Sequence, residues 1–190
     1  MKLLAINGSP RPDGNTAFLL RTVMGEVARS GVETELFQLG STPVSGCRAC
    51  MQCRTRRDRR CVIDDRVGEA IARMIEADAI VIGSPTYFAG VTPETKALID
   101  RSGYVALAND RLFARKIGAA VTVHRRGGAV CAFDTITRFL LITGMVVPGS
   151  TYWNFAAARN PGEAAKDEEA IRNMIDLGSN LAWLLQKLRG

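Results

Sequence analysis

The chain has 190 residues and a hydrophobic fraction of 47%, which predict one soluble domain with a sizeable core. Its formal net charge is +6, but much of the excess lies in one short segment. No apolar run reaches the roughly 20 residues that a membrane span needs. The apolar stretch at the N-terminus is too short for a signal peptide. We therefore expect a cytoplasmic protein that does not contact a membrane.

The first predicted element is a buried parallel strand at residues 2–7, which a loop from Gly8 to Thr16 connects to a helix ended by Gly31. This loop carries side chains that could surround one phosphate at the helix N-terminus: Ser9, Arg11, Asn15 and Thr16. It matches neither G-x-G-x-x-G nor a Walker loop. A monophosphate site is therefore favoured over an ordinary turn.

Residues 32–39 alternate like a second strand, and a cysteine-rich segment follows at about 44–63. Its thiols have the spacing C-x2-C-x2-C-x7-C: Cys47, Cys50, Cys53 and Cys61. Closely spaced thiols can converge on one centre, and this pattern is typical of a [4Fe–4S] cluster, in which each iron takes one thiolate. A zinc site more often uses two separated C-x2-C pairs. The isolated Cys131 is predicted to be a small buried hydrophobe.

Inside this segment, residues 54–60 read RTRRDRR and carry five arginines. They form either a solvated loop or a positive surface beside an anionic cluster and an acidic redox partner. A nucleic-acid site is disfavoured because the interleaved aromatic residues and the long basic face of such a site are absent from the sequence.

Asp64 or Asp65 is predicted to cap the next helix, and residues 79–83 form the most strand-like run, at the centre of the sheet. The loop after that strand, Ser84 to Gly90, holds two aromatic residues between Pro and Gly. They could flank a flat ring or could simply fill the junction between strand and helix. The loop sequence does not decide between these alternatives.

A fourth strand is predicted at residues 116–123, and the glycines of the loop from Thr122 to Gly128 would let the backbone approach a ligand closely. His124 is the only histidine and receives no proton-transfer role. A fifth strand is predicted at 145–153 with Pro148 near its end, and a last helix at about 163–188, with Ile175 facing inward.

Five successive strand–helix units predict an α/β fold, a doubly wound parallel sheet with helices on both faces. We expect the strand order 2-1-3-4-5 because the first loop has the properties of a phosphate site. The whole chain, residues 1–190, is then a single domain with the cysteine-rich segment inserted.

Three features of the chain resemble the flavodoxin-like NAD(P)H-dependent FMN reductases. They are the motif GSPRPDGNT, the motif GSPTYFAG followed by TKALIDR, and the cysteine array between these two motifs. Within these, the chain resembles the iron-sulfur flavoproteins. The resemblance implies FMN and a [4Fe–4S] cluster on the four cysteines. It assigns the FMN phosphate to Ser9, Arg11, Asn15 and Thr16, and it hints at a subunit-interface role for Arg101. It assigns the flavin ring to a larger set: Pro85, Thr86, Tyr87, Phe88, Gly90, Thr122, His124, Gly127 and Gly128.

The resemblance also implies an FMN-dependent oxidoreductase that forms a homodimer or homotetramer. Electrons would pass between a donor, either ferredoxin or NAD(P)H, the cluster and FMN, and then to a small-molecule or protein acceptor. Two alternatives stay open: an NAD(P)H-dependent FMN or quinone reductase without a cluster, and a non-catalytic electron carrier of the flavodoxin type. No catalytic side chain is predicted.

Overall fold

A computed structural model describes residues 1–189, whose five strands form one parallel sheet in the order β2-β1-β3-β4-β5. The strands are β1 (Lys2–Asn7), β2 (Glu33–Gln38), β3 (Ala79–Pro85), β4 (Ile117–His124) and β5 (Phe155–Ala157). The helices are α1 (Asn15–Ala28), α2 (Gln52–Arg56), α3 (Arg66–Glu76), α4 (Pro93–Ala108), α5 (Ala129–Ile142) and α6 (Glu168–Arg189), with a short 3-10 helix at Glu163–Lys166. The predicted strand order is confirmed.

Helices α3 and α4 begin where the local sequence predicts them. Asp65 accepts hydrogen bonds from the backbone N–H groups of Val67 and Gly68 at the start of α3. Thr92 caps α4 by accepting from the backbone N–H of Thr95, and Pro93 follows at the first helical position, where its missing N–H has no intrahelical partner to lose.

The core lies on both faces of the sheet because successive strand side chains point in opposite directions. Leu3 and Ala5 pack with α1 and α6 on one face, whereas Leu4 and Ile6 pack with α3, α4 and α5 on the other. Helices therefore cover both faces of the central strands, and the carboxyl ends of the strands remain accessible to a ligand.

The fifth strand lies at a position that the sequence did not predict. Residues 145–153 were expected to form it, but only Val146 bridges the sheet, opposite Ile117. Pro148 has no N–H to give to a ladder, and the chain leaves the sheet until Phe155, which pairs with Thr122. The strand therefore lies further along the chain. The loop that follows it at the carboxyl edge of the sheet differs from the loop that the sequence predicts there.

The last helix also differs in detail. The 3-10 helix precedes it, so α6 begins at Glu168, and Ile175 is exposed instead of facing inward. Over residues 1–189, no helix combines the length and the apolar character that crossing a bilayer would need.

Candidate functional site

The carboxyl ends of β1, β3, β4 and β5 form one cleft with a volume of about 170 Å³. It is lined by Ser9, Pro10, Arg11, Gly14, Asn15, Thr16, Pro85, Thr86, Tyr87, Val123, Arg125, Ala158 and Arg159. The first loop and the loop after β3 therefore meet, as the sequence predicts. We call this space the flavin cleft, after the ligand that the sequence led us to expect.

The α1 end of the cleft has the properties of an anion site. Gly14 stands at the N-cap position with no side-chain cap, and the first turn contains no acidic residue. The backbone N–H groups of this turn are thus not satisfied by a capping side chain, and the helix dipole adds partial positive charge. The side chain of Arg11, exposed beside the cleft, supplies a full charge.

The turn itself is held by internal hydrogen bonds. The Ser9 backbone N–H donates to Asn7 Oδ1 over 3.1 Å, and the Arg11 N–H donates to Ser9 Oγ over 3.1 Å. Gln38 Nε2, at the end of β2, donates to the Ser9 carbonyl over 2.7 Å. The loop is therefore preorganised by β1 and β2 without help from a ligand.

Asn15 lines the cleft, but its amide is engaged elsewhere. Its Nδ2 donates to the Asn160 carbonyl over 2.8 Å, while its Oδ1 accepts from the backbone N–H groups of Gly162 and Ala164. Asn15 therefore fastens the loop after β5 to α1. The second N–H of its Nδ2 and its backbone N–H at the helix start are the donors left for an anion.

One polar atom of the cleft lining, Thr86 Oγ1, is buried without a partner in the described structure; Thr122 Oγ1 and His124 Nδ1 also lack partners, but their residues do not line the cleft. A buried polar atom without a hydrogen bond costs about 1–3 kcal/mol, so such atoms usually mark the place of a ligand or water. A flat heterocycle with nitrogen and carbonyl groups along its edge would satisfy Thr86 Oγ1, and Pro85 and Tyr87 line the cleft beside it. These residues fit the flavin ring of FMN, as the first loop fits its phosphate.

The rim of the cleft is a two-residue turn with an unusual backbone. Tyr87 and Gly90 exchange two backbone hydrogen bonds of 2.9 Å each, and Phe88 and Ala89 between them have φ of 47° and 62°. Phe88 is fully exposed. Gly128, itself at φ 83°, lies so close that an added Cβ would sit 3.0 Å from the Ala89 Cα. The loops after β3 and β4 are thus packed against each other.

Six residues that the sequence assigned to the flavin lie outside the lining of the cleft: Phe88, Gly90, Thr122, His124, Gly127 and Gly128. Conversely, Arg125, Ala158 and Arg159 line it without having been singled out. Arg125 lies inside the loop that the sequence identified. Ala158 and Arg159 follow β5, so a correct position for that strand would have pointed to them.

A second cavity contains all four cysteines of the cysteine-rich segment: Cys47, Cys50, Cys53 and Cys61. Burial raises the pKa of the Cys53 thiol, and the neighbouring sulfurs of Cys61 and Cys47 raise it further. Within residues 1–189, no three His, Cys, Asp or Glu side chains are arranged to hold a single metal ion. The donor set, four thiols around one cavity, is the set that a [4Fe–4S] cluster uses, with one thiolate per iron.

The backbone of this segment is sharply turned. Ala49 and Met51, on either side of Cys50, are left-handed with φ of 51° and 57°, and Arg57 and Arg59 are left-handed as well. Such conformations cost about 1 kcal/mol or more for non-glycine residues and persist where the surroundings hold them. Turns of alternating hand also direct successive N–H groups into anion-binding concavities, as at many iron-sulfur sites.

Helix α4 holds the segment at two places. At the end of the helix, Asn109 Nδ2 donates to the Cys53 carbonyl over 3.4 Å, and its Oδ1 accepts from the Arg59 N–H over 3.1 Å. In the middle of the helix, Arg101 is buried at the wall of the cysteine cavity. Cys131, predicted to be buried, is exposed on α5 and lies outside the cysteine cavity.

The chain is similar to known flavin-dependent proteins over its full length. Residues 1–160 match the family model described as NADPH-dependent FMN reductase. The chain is 34% identical over 196 positions to an iron-sulfur flavoprotein of Methanocaldococcus jannaschii, with 100% of each chain covered. It is 30% identical over 191 positions to the iron-sulfur flavoprotein of Methanosarcina thermophila, covering 100% of this chain and 97% of the relative.

Two solved structures show the same fold. RosB with a bound formylated riboflavin phosphate intermediate has a TM-score of 0.73 at 18% identity, covering 98% of this chain and 81% of RosB. A flavodoxin from the domain Archaea has a TM-score of 0.63 at 16% identity, covering 100% of both chains. At such identities the likeness establishes a flavodoxin-like architecture and nothing finer.

Proposed function

The chain belongs to the NADPH-dependent FMN reductase family and is a flavin-dependent oxidoreductase, and on that premise we propose that it is an iron-sulfur flavoprotein that transfers electrons between an external donor, a [4Fe–4S] cluster and FMN. The observation that carries the proposal is the joint presence of two cavities: the flavin cleft, and the cavity that contains four thiols. In this proposal, the FMN-binding part of the chain and the inserted cysteine segment serve the same electron transfer.

In this proposal the residues of the first loop hold the phosphate of FMN. The uncapped start of α1 presents backbone N–H groups, Ser9 and Thr16 contribute hydroxyls, and Arg11 provides charge. Thr86, which lines the cleft, would offer its unpartnered Oγ1 to the polar edge of the ring. When bound, FMN supplies the redox chemistry, since flavins exchange electrons in pairs or singly.

The four cysteine thiolates would ligate the cluster, one per iron. Helix α4 connects the two sites, because its capping residue Thr92 donates from Oγ1 to the Gly8 carbonyl in the first loop, while Arg101 and Asn109 reach the cysteine segment. One rigid element therefore fixes the position of the cluster site relative to the flavin cleft within the chain.

The donor is a reduced ferredoxin or NAD(P)H, and the acceptor is a small molecule or a second protein. The arginines of residues 54–60 are exposed beside the cysteine cavity and favour an acidic redox partner. We also propose a homodimer or homotetramer, because the fully exposed Phe88 at the rim of the cleft and the exposed Leu107 and Ile142 offer apolar surface to another copy.

The test is the content of iron and flavin per chain in protein purified without oxygen. We expect about four iron atoms and one FMN, with a broad brown absorbance beneath the flavin bands. Cys61→Ser should lose most of the iron and keep the FMN, whereas Cys131→Ser, a change at an exposed thiol outside the cavity, should keep both. A yellow, iron-free wild-type protein that also resists anaerobic reconstitution would reduce the proposal to a cluster-free reductase.

A further inference from the structure

Arg101 is the most deeply buried charge of the described chain, with 1% of the residue exposed. Arginine is rarely buried to this extent unless its charge is paired and its donors are used. Its Nη1 donates to Asp65 Oδ2 over 2.7 Å and to the Ser45 carbonyl over 3.0 Å, and its Nη2 donates to the Ile63 carbonyl over 2.8 Å.

These three acceptors enclose the cysteine segment. Ser45 lies two residues before Cys47, and Ile63 lies two residues after Cys61. One guanidinium therefore joins the entry and the exit of the loop that carries all four thiols. Because loop ends that are fixed together need less ordering when a ligand binds, this contact preorganises the site.

The remaining donor, Arg101 Nε, is buried and has no hydrogen-bond partner in the described structure. Arg101 lines the cysteine cavity, and the other side chains of that cavity are thiols, aliphatic or aromatic groups and a second arginine. A sulfur acceptor at the cavity is thus the natural partner for Nε–H.

We propose that Arg101 is a positioning residue for the cluster: its two terminal nitrogens close the cysteine segment, and its Nε–H donates to a sulfur of the bound cluster or of Cys61. This inference rests on the proposed function, since it assumes the cluster. The donated hydrogen bond and the buried charge stabilise the more negative reduced cluster and so raise its potential. Exposed arginines act more weakly because water and salt screen them.

The experiment compares cluster potentials by anaerobic redox titration followed by EPR. The main variant combines Arg101→Met with Asp65→Asn, so that no unpaired carboxylate is left behind, and Asn keeps the cap of α3. We expect its potential to fall below that of the wild type by an amount that added salt does not change. Arg101→Lys, which keeps the charge and loses Nε–H, should give a smaller fall.

Two controls test whether a fall in the cluster potential comes from the Arg101 guanidinium, and not from the change at Asp65 or from the loss of any arginine. Asp65→Asn alone should not lower the potential, because the guanidinium remains and a neighbouring negative charge is removed. Arg73→Met removes an arginine that pairs with Glu35 and packs over Phe37, outside the cysteine cavity, and should not change the potential.

The outcomes are distinguishable. Wild-type protein without iron contradicts the proposed function itself. Wild-type protein with a cluster, together with an unchanged potential in both Arg101 variants, overturns the inference alone, even if those variants lose some iron. If the double variant does not hold a cluster, the cluster potential of Arg101→Lys tests the inference. A potential below that of the wild type supports it, and an unchanged potential contradicts it. In protein stripped of iron, faster amide exchange across residues 45–63 in the double variant supports the closing role, and unchanged exchange contradicts it.

Discussion

Asp65 has two roles that depend on its two oxygens. Its Oδ1 caps α3, while its Oδ2 accepts from Arg101 and, over 3.3 Å, from the backbone N–H of Ser45. Burial opposes ionisation of this carboxyl, but the hydrogen bonds from Arg101, Ser45 and Gly68 outweigh it, so its pKa lies below the usual value. The sequence predicted the cap, but the partner on α4 is 36 residues away and was not predictable from spacing.

This arrangement predicts how stability depends on pH. The pKa is lower in the folded state than the roughly 3.9 of an unfolded chain, so the ionised carboxylate stabilises the fold at neutral pH. That stabilisation is lost as the pH falls through the folded-state pKa. We expect Asp65→Asn to lower the free energy of unfolding by roughly 2 kcal/mol at pH 7 and by much less near pH 3, measured by urea titration.

Asp64→Asn is the matched control, because Asp64 is the exposed neighbour and caps no helix in this structure. It should change stability little at either pH. A difference between wild type and Asp65→Asn that is the same at pH 3 and pH 7 would show that the carboxylate charge does not contribute.

Among the elements, the turn from Tyr87 to Gly90 is the one whose sequence disagrees with its geometry. Both central residues have positive φ, the arrangement of a type I′ turn, for which Asn-Gly is preferred. Phe88 and Ala89 occupy these positions instead. The packing of Gly128 against Ala89 helps to hold the turn in place. A strained turn at the rim of a ligand cleft is consistent with a functional constraint on its shape.

Ala89→Gly should therefore stabilise the protein, by about 0.5–1 kcal/mol, since glycine adopts φ near 62° without a Cβ penalty. Thermal unfolding of the FMN-loaded protein measures the change. Ala28→Gly, at the end of α1 with right-handed backbone, is the control and should destabilise by a similar amount. Loss of stability in Ala89→Gly would contradict the assignment of strain to this turn.

At the scale of the whole molecule, the excess positive charge has a definite place. Arg56 pairs with Asp58 over 2.6 Å and Arg57 pairs with Asp110 over 2.8 Å. Arg54, Arg59 and Arg60 are exposed and form no ion pair within residues 1–189. These three free charges stand beside the cysteine cavity, where a positive field would steer an acidic electron donor.

Changing Arg54, Arg59 and Arg60 to Gln should slow reduction by an acidic ferredoxin on the order of tenfold at low ionic strength. The dependence of that rate on salt should flatten, because fewer charges remain to be screened. Stopped-flow reduction at several salt concentrations measures both effects. Changing Arg29, Arg138 and Arg172 to Gln alters the net charge equally at exposed positions that do not line the cysteine cavity, and it should have little effect. Equal slowing by both triple variants would exclude local steering.

The sequence alone determined the sheet order and the membership of most loops in the two sites, because these depend on local information. Strand and helix periods repeat over a few residues, parallel strands bring their following loops to one edge, and C-x2-C-x2-C-x7-C places its thiols together by short spacing. The loops after β1 and β3 are therefore recognisable from their residues and positions in the chain, and both line the flavin cleft.

Only the tertiary structure decided which groups are buried and which partners they take. It showed that Asn15 is committed to the loop after β5, that Cys131 is exposed, and that β5 lies beyond Trp153. It also placed Arg101 inside the wall of the cysteine cavity. These properties arise from contacts between residues far apart in the chain, and the free energy of burying a charge or leaving a donor unpaired depends on neighbours that no local pattern specifies.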